Sequence, residues 1–479
     1  MMTVNRPNIL ILMTDQQQAS TIDPCSPCLT PHLDALAGEG MLFSRAYTCN
    51  AICSPTRASL MTGVLPHLHG QHDCTHVVSE LHAKYDPGLP TWAQRLEEAG
   101  YQTSYFGKWH VERTEKLDDY GWQRYNLAGK SYGEYRRSLG LPAHEHLISS
   151  KSLGGRGYRD TVLYGVTDEP ESASRPYYIF SQAIEHLGRL EPGRPWCMFV
   201  STPEPHDEYI AHTAYRDLYD AATLVPPASW NDNLADKPDV LKRMQGVFAG
   251  MSWEEVAEAT ACYYATCSLI DAQVGRIVAA LRQRGELENT VIIYTADHGD
   301  MMGAHGLFTK GITPYEEVYR VPLLIRAPGN AQAGTVCERV VESCGLASTI
   351  LDLASCERLP NQHFRSHTPL LRDANDPAWE DFCFSEFYGQ RFAFTQYLLW
   401  EKRFKLVLNA FAYDELYDLK SDPAELHNLA LLPRYQPIKE RLLKRMWRAI
   451  EETGDTCMFN SHYWSLRFFD LGPNCNQES

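Results

Sequence analysis

The stretch "NTVIIYTADHGD", residues 289–300, is the one on which the fold turns. Its apolar, β-branched run stops abruptly at Asp297, His298, Gly299 and Asp300. A short apolar run without polar alternation marks a strand buried on both faces, as in parallel sheets. The preceding segment, "TACYYATCSLIDAQVGRIVAALRQRG" (260–285), repeats apolar residues at helical spacing and closes on Arg and Gly. That is the pattern of a long helix laid across a sheet. The alternation continues outward. "NILILM" (8–13), "YQTSYFG" (101–107) and "RPWCMFVST" (194–202) read as further strands. "TPHLDALAGEG" (30–40) and "LPTWAQRLEEAG" (89–100) read as helices, with Thr30 at the N-cap of the first and Pro31 at its first position. The expected fold class is α/β, a large mostly parallel sheet sandwiched by helices.

After about residue 375 the texture changes. "DFCFSEFYGQRFAFTQYLLWEKRFKLVLN" (381–409) is rich in aromatic and β-branched residues and reads as antiparallel strands. "PRYQPIKERLLKRMWRAIEETG" (433–454) reads as a terminal amphipathic helix. A catalytic α/β domain over residues 1–375 and a smaller C-terminal domain of antiparallel sheet plus helix over 376–479 are expected, joined near "LPNQHFRSHTPLLRDANDP" (359–377).

Composition is that of a soluble globular chain, 44% apolar and 22% charged, with ample material for a core. The net charge of −16 argues against nucleic acid or an anionic membrane as partner, yet leaves room for a locally basic pocket that takes a small anion. "MMTVNRPNILILM" carries no run long enough for a signal peptide, so a cytoplasmic location is expected. In that setting the fourteen cysteines are expected to be reduced and mostly buried. Cys25 and Cys28, in "CSPC", have no second pair at zinc spacing and read as loop thiols.

Ligands of open α/β sheets gather at the carboxyl ends of strands. The first strand delivers Asp15 and Gln16 there, and "VIIYTA" delivers Asp297 and His298. "CMFVST" leads to His206, and "YQTSYFG" to Lys108 and His110. Two carboxylates, an amide oxygen and an imidazole suit a hard divalent cation such as Ca²⁺ or Mg²⁺. Each acid alone is as compatible with a turn or a cap; convergence from several tips favours the metal reading.

"CNAICSPTRASLMTG" (49–63) places Cys53 before a short helix that stops at Gly63. A helix N-terminus there favours an anion, and Arg57, Lys108 and Lys310 have the charge to clamp a tetrahedral oxyanion. A buried thiol and solvated lysines are the bland alternatives. A cysteine phosphatase needs Cys-x₅-Arg, whereas Arg57 lies only four residues beyond Cys53.

The chain resembles the type I sulfatases of the alkaline-phosphatase-like superfamily. "CSPTRASLMTG" (53–63) matches their first motif, and "GYQTSYFGKWH" (100–110) their second, apart from a bulky Phe106. "TPHLDALAGEG", "IDAQVGRI", "TADHGDMMGAHG" and "DELYDLKSDPAELHNLA" extend the likeness over roughly residues 7 to 430. The resemblance implies that a separate maturing enzyme converts Cys53 to Cα-formylglycine, whose hydrate attacks sulfate. Asp15, Gln16, Asp297, His298 and residue 53 would hold the cation, Ca²⁺ by the resemblance. Arg57 would orient the diol, and Lys108 and Lys310 would bind sulfate oxygens. His206 would protonate the departing alcohol, and His110 would take the proton that lets the sulfate hemiacetal collapse.

Gln16 and His298 depart from the Asp-Asp and Asp-Asn pairs of many members. They resemble choline-sulfatase-like and phosphonate-hydrolase-like branches, and one fewer negative charge admits Mg²⁺ or Mn²⁺. The retained Gly107-Lys108-x-His110 favours sulfate monoesters. "DHGDMMGAHGLFTKG", "FKLVLNAFAYDELYDLKSDP" and "HYWSLR" resemble a bacterial subgroup of uronate 2-O-sulfatases, which implies a small sulfated carbohydrate as substrate. His67, His69, His72 and His76 stand as candidate substrate contacts. A phosphonate monoester or phosphodiester hydrolase, and a non-catalytic anion-binding protein with Cys53 unmodified, are the competing readings. The aromatic-rich C-terminal region offers material for a homo-oligomer interface.

Overall fold

The computed structural model describes residues 6–476 apart from 77–84, 86–87, 156–158, 331 and 460–463. The first two residues of "HYWSLR" (462–467) therefore lie outside the described residues.

Eight strands form the main sheet: β1 (Asn8–Thr14), β2 (Met41–Phe43), β3 (Gln102–Gly107), β4 (Arg124–Asn126), β5 (Trp196–Ser201), β6 (Thr290–Ala296), β7 (Leu323–Arg326) and β8 (Thr335–Cys337). Their spatial order is β8-β2-β7-β6-β1-β5-β3-β4. From β6 to β4 every pair is parallel. Only β7 breaks the direction, antiparallel to both β6 and β2. The strands at the centre are buried along their whole length, which is why they read as unbroken apolar runs.

The pleat sends alternate residues of β1 to opposite cores. Ile9, Ile11 and Met13 pack with α2 (Cys53–Thr62), α3 (Trp92–Glu98) and α6 (Leu346–Leu353), named in chain order after α1 (Pro31–Glu39), α4 (Arg175–Leu187) and α5 (Trp253–Gln283). Leu10 and Leu12 pack with α1, α4 and α5. The long helix starts earlier than its apolar pattern indicates, because Ser252 and Glu255 close a capping box in front of it. Thr30 occupies the N-cap of α1, but its side chain makes no capping bond. The Asp271 carboxylate, reaching over from α5, instead accepts the free N–H groups of His32 and Leu33.

The C-terminal strands β9 (Phe382–Gln390), β10 (Phe392–Glu401), β11 (Phe404–Asn409) and β12 (Glu415–Asp418) form an antiparallel sheet in chain order. Leu399, Leu406, Leu408 and Leu416 face Leu442, Leu443, Met446 and Trp447 of α7 (Gln436–Glu452). Their neighbours Leu398, Trp400, Val407 and Tyr417 face Tyr47, Met301, Tyr315 and Tyr319. The small sheet is thus held between its own helix and the body of the molecule. All fourteen cysteines are free thiols and ten are buried; Cys28 is buried and Cys25 exposed. Among the described residues no helix is long and apolar enough to cross a membrane.

Candidate active site

Sheet register brings the expected residues together. Thr14 pairs with Ala296, and Ser201 pairs with both Met13 and Gly107. Asp15, Asp297 and Lys108 therefore leave neighbouring strand ends on one edge of the sheet. At Gly107 the backbone turns at φ 101°, and a Cβ would stand 1.9 Å from the Ser201 carbonyl oxygen. Only glycine permits that approach, and Lys108 follows it directly.

Arg57 ties the acids into one unit. Its Nε donates to Asp297 Oδ2 at 2.7 Å and its Nη2 to Asp15 Oδ2 at 3.1 Å. The remaining nitrogen Nη1 donates to the Lys108 carbonyl and to Ser201 Oγ, each at 2.9 Å. The three side chains are fully buried, so their charges must be paired. Lys108 Nζ adds a bond to Asp15 Oδ2 at 2.5 Å. Burial and Cys53 push the Asp15 carboxyl up, but Lys108, Lys310 and His206 prevail and hold it well below the usual carboxylate range.

Cys53 is the first residue of α2, a helix whose ten residues are all buried and which stops at Gly63 in the left-handed conformation. Its Sγ lies 3.2 Å from His298 Nε2 and 3.7 Å from Asp15 Oδ1. A hydrogen bond from Cys74 and the charges of Lys108, Lys310 and His298 outweigh burial and lower the Cys53 thiol well below its ordinary value. Lys310, 6% exposed, donates to Gln16 Oε1 at 2.6 Å and stands 3.9 Å from Asp15 Oδ1. Position 53 thus faces concentrated positive charge at a helix N-terminus, the setting of an anion site.

Asp15, Asp297, His298 and Cys53 each offer a ligand atom, all within 4.8 Å of one another and all buried. Two carboxylates and an imidazole around one point fit a divalent cation. Gln16 takes a left-handed φ of 67°. Its N–H donates to Asp297 Oδ1, while its amide nitrogen donates to Asp207 and Asp300 and its oxygen accepts from Lys310. It thus adjoins the four-residue group through the backbone, with its amide braced by charged neighbours.

His206 lies 3.2 Å from Asp207 Oδ1. Burial and Lys310 lower its imidazole, but a hydrogen bond with Cys53 and the acids Asp15 and Asp207 raise it to about 9. Burial lowers His110 despite a hydrogen bond with Cys53. Beside Lys108 and His206 opens a cavity of about 330 Å³, which Glu145, Arg175, Asp207 and Glu208 also line. Of the other histidines, His69 bonds to Ser59 Oγ and the Gln71 N–H. His67 bonds to Glu386 and the Thr453 carbonyl, and the His72 ring packs 4.6 Å from Tyr388. His76 reaches the site, 3.4 Å from His110.

Sequence reasoning passed over Cys74, Asp207 and Asp300. Asp300 Oδ2 accepts from Tyr209 and Gln16, and its Oδ1 from two backbone N–H groups, which brace the loop after β6. Its place three residues beyond Asp297, on the same strand tip, was the available signal. Cys74 carried none, since its approach to Cys53 depends on the path of the chain after α2.

The Sulfatase family model matches residues 7–356. A second model, N-sulphoglucosamine sulphohydrolase, C-terminal, matches residues 303–452. The sulfatase YidJ of Escherichia coli (strain K12) is 30% identical over 481 residues, covering 97% of this chain and 90% of its own. The choline-sulfatase of Rhizobium meliloti (strain 1021) is 29% identical over 461 residues, covering 90% and 84%. Among solved structures, the phosphonate monoester hydrolase of Silicibacter pomeroyi superposes with a TM-score of 0.81 at 23% identity, covering 94% of this chain and 96% of that one. The architecture is alkaline-phosphatase-like; the chain belongs to the sulfatase family and is a sulfuric ester hydrolase.

Proposed function

We propose that the protein hydrolyses sulfate monoesters of small carbohydrates through a formylglycine at position 53. The observation that carries this reading is the surroundings of that one side chain: it opens a buried helix between Lys108, Lys310, His206 and His298. A separate maturing enzyme would read "CSPTR" and convert Cys53. The hydrated aldehyde supplies a nucleophilic oxygen and a second hydroxyl, and a cation, Ca²⁺ by preference, neutralises charge beside them.

Asp15, Asp297 and His298 would hold that cation with residue 53, and Gln16 would sit against them with its oxygen on Lys310. Arg57 keeps the two acids at a fixed separation and so orients residue 53. Lys108 and Lys310 place ammonium groups where sulfate oxygens gain negative charge. His206 holds a proton near neutral pH and is placed to give it to the departing alcohol oxygen. His110, kept neutral by burial, is placed to take a proton from residue 53.

The 330 Å³ cavity beside Lys108 and His206 would receive the alcohol. Carboxylates such as Glu145 and Glu208 would accept sugar hydroxyls, and the Arg175 guanidinium, 3.6 Å from Glu204 through its Nε, has further N–H donors for a uronate carboxylate. Within carbohydrate sulfates, uronate 2-O-sulfate is therefore the specific candidate. Arg175→Ala should raise KM for a 2-O-sulfated uronate about tenfold or more, the value of one charge-assisted pair, and leave KM for a neutral sulfated sugar unchanged. Equal change for both would exclude the uronate. The reaction class is tested by turnover of nitrophenyl sulfate against nitrophenyl phenylphosphonate. Preference for the sulfate is expected; strong preference for the phosphonate would replace this reading with that of a phosphonate hydrolase on the same scaffold.

A further inference from the structure

Cys74 and His110 both hydrogen-bond with Cys53, and Cys74, His76 and His110 each offer one ligand atom within 4.8 Å of the others. Cys74 is 5% exposed, and its backbone N–H is fixed by Asp73 Oδ1 at 2.7 Å. His76 Nδ1 and His110 Nε2 face each other at 3.4 Å, with ring planes only 4° apart. A tetrahedral ion with bonds of about 2.0–2.1 Å separates two of its nitrogen ligands by about 3.3 Å. The imidazole pair therefore already stands at the spacing that one shared ion would impose. His110 also approaches Cys53, and its buried Nδ1 has no hydrogen-bond partner among the described residues.

We propose that Cys74, His76 and His110 form a second metal site, selective for a thiophilic ion of the Zn²⁺ class, and that filling it inhibits the enzyme. Its thiol and two imidazoles are soft and borderline donors, opposite in character to Asp15 and Asp297, so the two sites sort ions by chemistry. Binding releases the Cys74 thiol proton to solvent and leaves the fourth position to water. Asp73 lies behind the site and also accepts the Arg391 backbone N–H at 2.7 Å. The Arg391 guanidinium stands 3.3 Å from His76 Nε2, the outer nitrogen, away from the shared position. A metal ion on His110 takes up Nε2, the nitrogen that faces His76, and leaves the ring unable to accept a proton there. The inhibition rests on the role proposed for His110; the binding does not.

Two measurements separate these parts. Co²⁺ serves as the spectroscopic probe for Zn²⁺, added to protein carrying Cys53→Ser, so that residue 53 cannot supply the sulfur, and pre-loaded with Ca²⁺. A thiolate-to-cobalt charge-transfer band at one equivalent is expected, absent after Cys74→Ser and weakened after His76→Ala. Absence of the band in the Cys53→Ser protein overturns the site. In the matured enzyme, Zn²⁺ should inhibit sulfate release, and Cys74→Ser or His76→Ala should weaken that inhibition about tenfold or more. His76 is exposed, so its substitution leaves the core intact should Cys74→Ser fold poorly. Inhibition unchanged in both variants overturns the inhibitory role, even where the band appears. Protein with residue 53 fully converted that releases no sulfate, while its Cys53→Ser form shows the band, would overturn the proposed function and keep the site.

Discussion

At the scale of single residues the site is an arrangement of buried charge. Asp15 and Asp297 are tolerated in the interior because Arg57 and Lys108 reach them, and those cations are held in turn by the acids. In the proposed reaction Lys108 and Lys310 would then serve the sulfuryl group without reorganising, which is where electrostatic catalysis draws most of its effect. Lys108→Ala and Lys310→Ala should each lower kcat/KM by about 10²–10³-fold, measured on a nitrophenyl sulfate with the cation saturating. A change of less than about threefold, a small part of that expectation, would place the sulfate elsewhere. These residues were legible in the sequence because each follows a strand end or falls in a recognisable motif. The bracing by Asp300 and the thiol of Cys74 were not, because what recruits them is a loop path.

At the scale of elements, the helix that presents residue 53 is tied to the C-terminal sheet. Just after α2, His67 Nδ1 bonds to Glu386 of β9 at 2.7 Å, and Nε2 meets the Thr453 carbonyl beyond α7 at 2.9 Å. Burial works against its charge, but Glu386 outweighs it and raises His67 to about 9. The stacked neighbour His363 is lowered by burial and by that charge to about 4. A folded value above the unfolded 6.5 means the stabilisation is complete below pH 6.5 and is lost as pH rises toward 9. His67→Gln should therefore cost about 3 kcal/mol at pH 6, and the difference from the parent should close above pH 9. Denaturant melts at the two pH values check this; a pH-independent difference would mean the contact is purely steric. The strands of the main sheet were readable because both their faces are apolar, whereas helix starts depended on local capping. Ser252 and Glu255 lengthen α5 ahead of its apolar pattern, and Asp271 supplies α1 with the cap that Thr30 does not.

At the scale of the whole molecule, the central claim is that four strand tips and one helix N-terminus make a single reaction centre. A cation bound by the native fold alone stabilises it by mass action, about 2.7 kcal/mol at one hundred times its Kd. Chelation should lower both Tm and activity, and Ca²⁺ should restore both; activity lost with Tm unchanged would separate the ion from the fold. The overall architecture was legible from the alternation of buried strands and covering helices, and the convergence of Asp15, Asp297, Lys108 and His206 from the rule that ligands sit at carboxyl strand ends. What the order of residues does not encode locally is register, and register is what sets Asp15 beside Asp297. The most direct test of the account is the mass of the peptide containing residue 53, measured across preparations matured to different extents. Conversion of Cys53 to formylglycine removes about 18 Da by atom bookkeeping. The account predicts that sulfate release rises in proportion to the converted fraction. Equal turnover by protein in which Cys53 is wholly unconverted would contradict it.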